Sequence, residues 1–413
     1  MARIEGITIQ NYRALRDVTL GKTFEHQDGS PLPSMMAVIG PNGSGKSTLL
    51  DAFGFLKDCL ADGVEEACDR GMRGGFDRLR TKGVKEAIKF ELYYRESGTE
   101  RPISYSLWIN IDRGGRPYVE KERFRQRRAG LTSGAPFSFV NLKKGRGDVY
   151  AGEFGTETPG NNKLKVVLED SRKLAIASLG NLTEYPNLVR FREFLEGWYL
   201  SYFVPDLARG MPMVGAQRKL NTRGDNLANY VQFLQKQHPK RFDNVLAAVS
   251  KKIPGVEKIG WKPSDDGRLL LQFNDRGYKD PFYAPSMSDG TLKYFAYMLM
   301  LEDPEPAPLI GIEEPENGLH HQLLGPLAGE MRSRANKTNG PQVLVTTHAN
   351  YFVDALAPQE VFVLSKGKDG ASTVKCAADD QTVVDMVNDG IPLGSLWYSN
   401  HLGGGNPFGG GNP

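Results

Sequence analysis

Three rhythms of apolar and polar residues divide this chain. Over residues 3–20 the apolar positions Ile4, Ile7, Ile9, Tyr12, Leu15, Val18 and Leu20 alternate with polar ones, as in strands with one buried face. They predict a short antiparallel pair. Four unbroken apolar runs, Met35–Ile39, 309–312, 343–346 and 361–364, instead have the character of parallel strands buried on both faces. Helical spacing governs 188–200 and 226–251. In the second, Leu227, Tyr230, Val231 and Leu234 share a face, and Phe242, Val245, Leu246 and Val249 continue it after Pro239.

Further strands are predicted at 87–94, Ile103–Ile111 and 269–273, and helices at 47–60 and 292–301. Residues 126–165, rich in Gly, Arg, Lys and Ser, predict a loop-rich insertion. From residue 286 onward helix and strand alternate. The expected class is α/β with a mixed sheet and an N-terminal antiparallel β-subdomain. Its expected parts are 1–125, an insertion over 126–285, a second half of the head over 286–370, and a tail over 371–413. The tail repeats Gly-Gly-Gly-Asn-Pro at 403–407 and 409–413 and reads as a flexible end. No heptad array is long enough for an extended coiled-coil arm.

One apolar run leads into chemistry. Met35–Ile39 is followed by Gly40, Pro41, Asn42, Gly43, Ser44, Gly45, Lys46 and Ser47, a complete G-x-x-x-x-G-K-[ST] phosphate loop between a strand and a helix. Glycines let the backbone wrap closely around phosphate oxygens. Inward N–H groups and the helix N-terminus then attract the anion. Lys46 is expected at the β- and γ-phosphates of a nucleoside triphosphate, Ser47 on Mg²⁺, and Thr48 completes the loop.

Three later segments suit the other half of such a site. The strand at 309–312 ends in Glu313 and Glu314, the first expected to hold the Mg²⁺ water shell and the second to polarise the attacking water. The strand at 343–346 runs into Thr347 and His348, a histidine placed to sense the γ-phosphate and orient that water. Ser286-Met287-Ser288-Asp289-Gly290-Thr291 opens an apolar helix and forms a second anion cap. A second cap is redundant within one site, but fits a phosphate bound to another subunit.

Taken in order, these segments resemble the ATP-binding-cassette ATPases of the RecF/Rad50/SMC branch. The chain looks most like the short AAA_21 or AAA_15 group, related to the ATPase half of overcoming-lysogenisation-defect nucleases. Residues 287–291 match the signature, Glu313 and Glu314 the Walker B end, 316–320 the D-loop and His348 the switch histidine. The segment 9–15, which includes Arg13, looks like the family's N-terminal strand, and implies that Arg13 contacts nucleotide. Glu313 stands where Asp is more usual, and His321 where many relatives have Pro. Gln126 and Gln217 are the candidates for the Q-loop glutamine.

The resemblance implies ATP and Mg²⁺ as cofactors and a head-to-tail homodimer, or a higher even-numbered oligomer. In it Ser288 and Gly290 act on the partner's nucleotide. It also implies an ATPase that regulates or scaffolds a separately encoded effector, a nuclease or toxin, in bacterial anti-phage defence. The alternatives are a RecF-like repair or recombination ATPase acting on DNA, and a scaffold in which turnover is minor. A fused nuclease domain is not expected, since about fifty residues follow Leu364 and a compact domain needs about a hundred.

Composition narrows this only a little. The 413 residues contain 52 basic and 49 acidic side chains, a net charge of +3, too mild to argue nucleic-acid binding from bulk charge. A local cluster is more pointed: Lys121, Arg123, Arg125, Arg127 and Arg128, with Lys143, Lys144 and Arg146 nearby, could track DNA or RNA phosphates. Glu120 and Glu122 are expected to offset part of that charge. Cys59, Cys68 and Cys376 fit neither a zinc site nor a disulfide framework, so a reducing cytoplasm is expected. No apolar run approaches the roughly 20 residues of a membrane span, and the N-terminus has no signal-peptide pattern.

Overall fold

The computed structural model describes residues 2–98, 100–126, 136–152 and 163–403. The chain opens with β1 (Arg3–Tyr12) and β2 (Leu15–Gly21), paired antiparallel with Ile9 opposite Val18, as the alternation predicts. β3 (Met35–Ile39) follows and is wholly buried. The helix Lys46–Asp62 carries a core face of Leu49, Phe53, Leu56 and Leu60. Then come β4 (Ile88–Arg95), β5 (Ile103–Ile111), β6 (Pro117–Gln126), β7 (Phe137–Lys143), β8 (Arg146–Tyr150) and β9 (Lys163–Val167).

The strands β2-β1-β4-β5-β6-β7-β8-β9 form one eight-stranded antiparallel sheet. The segment 126–165 thus differs from its loop-rich expectation. Its described residues carry β7, β8 and most of β9, which extend the N-terminal sheet across residue 125. The sequence hides this because only Val140, Leu142 and Val149 of these strands are fully buried. Phe137, Phe139 and Tyr150 are only half-buried, and Leu164 and Val167 of the outer strand are exposed, so no strong alternation results.

The parallel sheet forms next. It already holds β3 and then takes up β10 (Tyr199–Ser201), which a small antiparallel sheet of β11 (Val256–Pro263), β12 (Leu269–Asp275) and β13 (Phe282–Tyr283) separates in the chain from the later strands. It continues through β14 (Leu309–Glu313), β15 (Gln342–Thr346), β16 (Val361–Lys366) and β17 (Ser372–Cys376). The order is β10-β14-β15-β3-β16-β17, parallel throughout except for β17, which returns antiparallel on β16. Residues 371–403, expected as a tail, therefore complete the sheet and add the helices Gln381–Asn388 and Leu393–Tyr398.

Two cores sandwich this sheet. One packs the helix Lys46–Asp62 between it and the antiparallel sheet, with Tyr12, Phe55, Phe90, Tyr105, Phe124 and Phe191 at its centre. The other packs the helices Leu227–Gln237, Pro239–Lys252, Asp289–Leu301 and Leu324–Ala335 on the opposite face. Gln342 fastens the sheets together: its amide accepts from Ile4 N at 3.0 Å and donates to Ile4 O at 2.9 Å. Among the described residues no helix is long and apolar enough to cross a membrane.

Glu122 lies in the first core and corrects one expectation. It points away from the basic residues of β6 and is buried. There it accepts from the backbone N–H groups of Ala175 and Ile176 and from Tyr105 Oη–H, so it offsets no surface charge. Burial pushes its carboxyl from the ordinary 4.5 up to about 7, against the pull of those three donors. The folded form thus binds a proton that the unfolded chain has released. Its contribution to stability is full below about 4.5 and is lost as pH rises through about 7. The melting temperature measured from pH 5 to pH 8 is expected to carry a downward component from this group. Glu122→Gln, neutral at every pH, is expected to remove that component.

Candidate functional site

The site assembles at the carboxyl ends of three adjacent parallel strands. Val38 of β3 pairs with Thr346 of β15, which pairs with Glu313 of β14. Two strand spacings, roughly 9–10 Å, therefore separate the root of the phosphate loop from the acidic strand end. Parallel sheets gather their functional residues at this edge.

The phosphate loop leaves β3 at Gly40 with φ 152°, a value at which a Cβ would lie 2.1 Å from Leu364 O of β16. Gly43 and Gly45 have φ 77° and 107°, conformations that side chains resist. Gly45 begins the helix without a side-chain cap, and its first turn has no acidic residue. Lys46 is buried, and its ammonium donates to Gly40 O at 2.8 Å and Pro41 O at 3.2 Å. Burial draws this lysine below its ordinary value, while the carboxylates of Glu314, Glu316 and Glu313 draw it back up. Ser44 Oγ is buried without a hydrogen-bond partner; Ser47 is exposed.

Across the gap, Glu314 has φ 41°, an uncommon left-handed conformation for a residue with a side chain. Three bonds hold it there. Its N–H donates to Thr346 O at 2.8 Å, its carbonyl accepts from Asn317 N at 3.1 Å, and its Oε2 accepts from Asn317 Nδ2 at 3.0 Å. Pro315 adds to the constraint by disfavouring the right-handed helical region for the residue before it.

His348 lies between two carboxylates, its Nδ1 3.1 Å from Glu316 Oε1 and 3.5 Å from Glu314 Oε1. Glu316 is the fixed member. It is buried, and its Oε1 also accepts from Thr347 Oγ1 at 2.8 Å and from His348 N at 2.7 Å. The sequence marks Glu316 only as the start of the D-loop; its role as the clamp on His348 emerges from the fold.

Ser288 caps the helix Asp289–Leu301, accepting from Thr291 N at 3.2 Å. It is exposed. Its neighbour Gly290 backs onto the D-loop, where a Cβ would come 2.7 Å from Gly318 O. Lys293, buried one turn further on, donates to Asn317 O at 2.7 Å. Arg209 braces the other side, donating to Met287 O at 2.8 Å and to the Asp289 carboxylate. Neither Lys293 nor Arg209 carries a sequence signal, because both act on main-chain oxygens brought close by the fold.

Arg13 sits at the turn of β1 and β2 with φ 49°. Its guanidinium pairs with Asp51 of the phosphate-loop helix at 3.1 Å, beside Tyr12 Oη–H and Arg73, which bind the same carboxylate at 2.7 and 2.8 Å. Gln126 is engaged with Arg101 O at 2.9 Å, and Gln217 accepts from Asn226 at 3.5 Å.

The basic cluster lies on the outer face of the antiparallel sheet. Lys89, Trp108, Lys121 and Lys143 stand opposite one another on β4, β5, β6 and β7, and Arg146 continues the row on β8. The Trp108 ring carries Lys89, Lys121 and Arg123 at 5.7, 5.1 and 5.4 Å. Arg125 is instead buried, hydrogen-bonded to Ser104 Oγ at 3.2 Å and stacked over Phe24. Arg127 and Arg128 lie outside the described residues.

This sheet pair and strand order make an α/β fold similar to that of Smc head domains. The family model described as "AAA domain, putative AbiEii toxin, Type IV TA system" matches residues 35–354, and the chain belongs to that family, AAA_21. Among solved structures it is similar to an Smc head bound to the C-winged helix domain of ScpA, with 14% identity and a TM-score of 0.55, covering 90% of this chain and 97% of the other. It is also similar to a Pyrococcus furiosus Smc head with an extended coiled coil, bound to the C-terminal domain of ScpA. That match has 14% identity and a TM-score of 0.51, covering 94% and 100%. No curated protein matches the sequence.

Glu316→Ala leaves the Thr347 hydroxyl and His348 N–H without their buried acceptor. It is expected to lower stability by about 1–3 kcal/mol in urea titration.

Proposed function

We propose that the chain binds ATP at residues 40–48, hydrolyses it, and uses the cycle to close and open a two-fold clamp that governs a separate effector. One observation supports this most directly: the buried Lys46 ammonium lies within the electrostatic influence of the Glu314, Glu316 and Glu313 carboxylates, beside the carboxyl ends of β3, β15 and β14. The loop fits a polyphosphate. It has positive-φ glycines, an uncapped helix N-terminus and an orphaned buried hydroxyl on Ser44.

In this reading Lys46 exchanges its two carbonyl partners for phosphate oxygens. Glu314 takes the proton of the attacking water, and His348, set by Glu316, holds that water in line. The oxygen of the water bonds to the γ-phosphorus as the bond to the β–γ bridging oxygen breaks, leaving ADP and phosphate. Ser47 and Glu313 would hold Mg²⁺, which when bound neutralises charge on the phosphates. Among the described residues no cluster of three His, Cys, Asp or Glu could hold a metal alone; Mg²⁺ commonly completes its shell with phosphate and water. Arg13 adds positive charge beside the same helix.

Ser288 and Gly290, at an exposed helix N-terminus, are assigned to the γ-phosphate of a second copy. The family description, which names a putative AbiEii toxin and a type IV toxin–antitoxin system, supports a role in defence. The partner bound by the Smc heads, a winged-helix domain, supports the broader idea that such a head engages another protein.

Lys46→Ala is expected to abolish ATP binding in calorimetry. Glu314→Gln is expected to bind ATP, turn over at least a hundredfold more slowly, on the order of the loss from removing a general base, and elute as a dimer with ATP. Elution as a monomer with ATP would rule out the clamp.

A second reading, direct action on nucleic acid, is favoured by the Lys89–Trp108–Lys121–Lys143 row. Burial, with Arg123, Arg125 and Lys143 beside it, holds the Lys121 ammonium below its ordinary value, while Lys89 at the end of the row pairs with Glu25 at 3.2 Å. If duplex DNA tracks this face, replacing Lys121 and Lys143 with Ala should lower the slope of log affinity against log salt by about 2. An unchanged slope removes the face from consideration.

A further inference from the structure

The hairpin of β16 and β17 reaches the phosphate loop through Leu364, which Gly40 passes closely, and through one hydroxyl. Ser372, first in β17, is 2% exposed, and its Oγ donates to Ser44 O at 2.7 Å. Its N–H donates to Ala14 O at 2.8 Å, in the turn that carries Arg13. The same Oγ lies 2.8 Å from the place a Cβ on Gly45 would occupy. At the hairpin's tip Asp369 pairs with Arg16 at 3.0 Å.

In a trans peptide the C=O and the following N–H point in opposite directions. Fixing Ser44 O toward Ser372 therefore fixes the Gly45 N–H away from β17, toward the inside of the loop. Gly45 lacks the Cβ that would restrict this peptide, so its own conformation does not select one orientation. An outside partner must do so, and Ser372 is placed for it. A peptide turned the other way would aim a carbonyl, not a donor, at the phosphates.

We propose that Ser372 is a positioning residue for the nucleotide. It holds the Ser44–Gly45 peptide so that Gly45 N–H is presented to the phosphates, without touching them itself. This rests on the reading of residues 40–48 as the ATP site.

The test measures Mg²⁺–ATP affinity by calorimetry and steady-state turnover on the full chain. Ser372→Ala should raise both Kd and KM roughly three- to tenfold, the scale of one buried hydrogen bond, and leave kcat within about twofold. Ser372→Thr, which keeps the hydroxyl, should restore wild-type values. Asp369→Ala, which frees the hairpin tip from Arg16 but leaves Ser372 in place, should bind ATP as the wild type does. Should Ser372→Ala fail to fold, Ser372→Cys keeps the packing with a weak donor and should show the same rise. Wild-type affinity in Ser372→Ala or Ser372→Cys overturns the proposal, as does an equal loss in Asp369→Ala. Failure of the wild-type protein to bind ATP would instead overturn the nucleotide reading, and this proposal with it.

Discussion

A backbone that turns its N–H groups toward one ligand cannot also pair them in a helix or sheet, so neighbouring structure must hold it. Everything at the phosphate loop follows from that constraint. Gly40 passes against Leu364 O, Ser44 O is held by Ser372, and Lys46 ties down Gly40 O and Pro41 O. These supports exist because β3 lies between β15 and β16. Its neighbour on one side continues into Thr347 and His348, and on the other into the hairpin whose return strand begins at Ser372. A loop at an edge strand would have lost one of these walls.

Local signals carried much of this into the sequence. The strand and glycine spacing around residues 35–47 needs no distant partner to be read, and the same holds for the runs that became β14, β15 and β16. What stayed hidden has a common physical cause. Ser372 acts on a carbonyl 328 positions away, and Lys293 and Arg209 likewise bind main-chain oxygens. Carbonyls carry no residue identity, so no spacing of side chains announces such contacts. β7, β8 and β9 escaped for another reason: strands at a sheet's outer edge bury too few residues to impose a rhythm.

The eight-stranded sheet shows how pairing decides the meaning of a charge. Lys121, Glu122 and Arg123 are consecutive, and in composition the acid cancels one base. The period of two sends Glu122 into the core, to cap a short helix, and leaves Lys121 and Arg123 around Trp108. The small net charge thus conceals a basic outer face and a carboxyl whose proton is retained through burial. Local charge has to be summed over a sheet face, after register is known, before it can bear on a partner.

Residues 316–318 join the two halves of the site more tightly than their separation in sequence suggests. Asn317 holds the Glu314 side chain through its amide and receives the Lys293 ammonium on its carbonyl. Lys293 in turn belongs to the helix that Ser288 caps, and Gly290 of that helix leaves no room for a side chain against Gly318. Glu314 is thus linked through Asn317 and Lys293 to the helix that the exposed serine caps. Burial already weakens the hold of Lys293 on its proton, although the Glu316, Asp289 and Glu314 carboxylates favour the charged form, so breaking this contact would leave a buried ammonium without its acceptor. On the clamp reading, such a rigid link gives the state of one nucleotide site a direct route to the surface offered to the other copy.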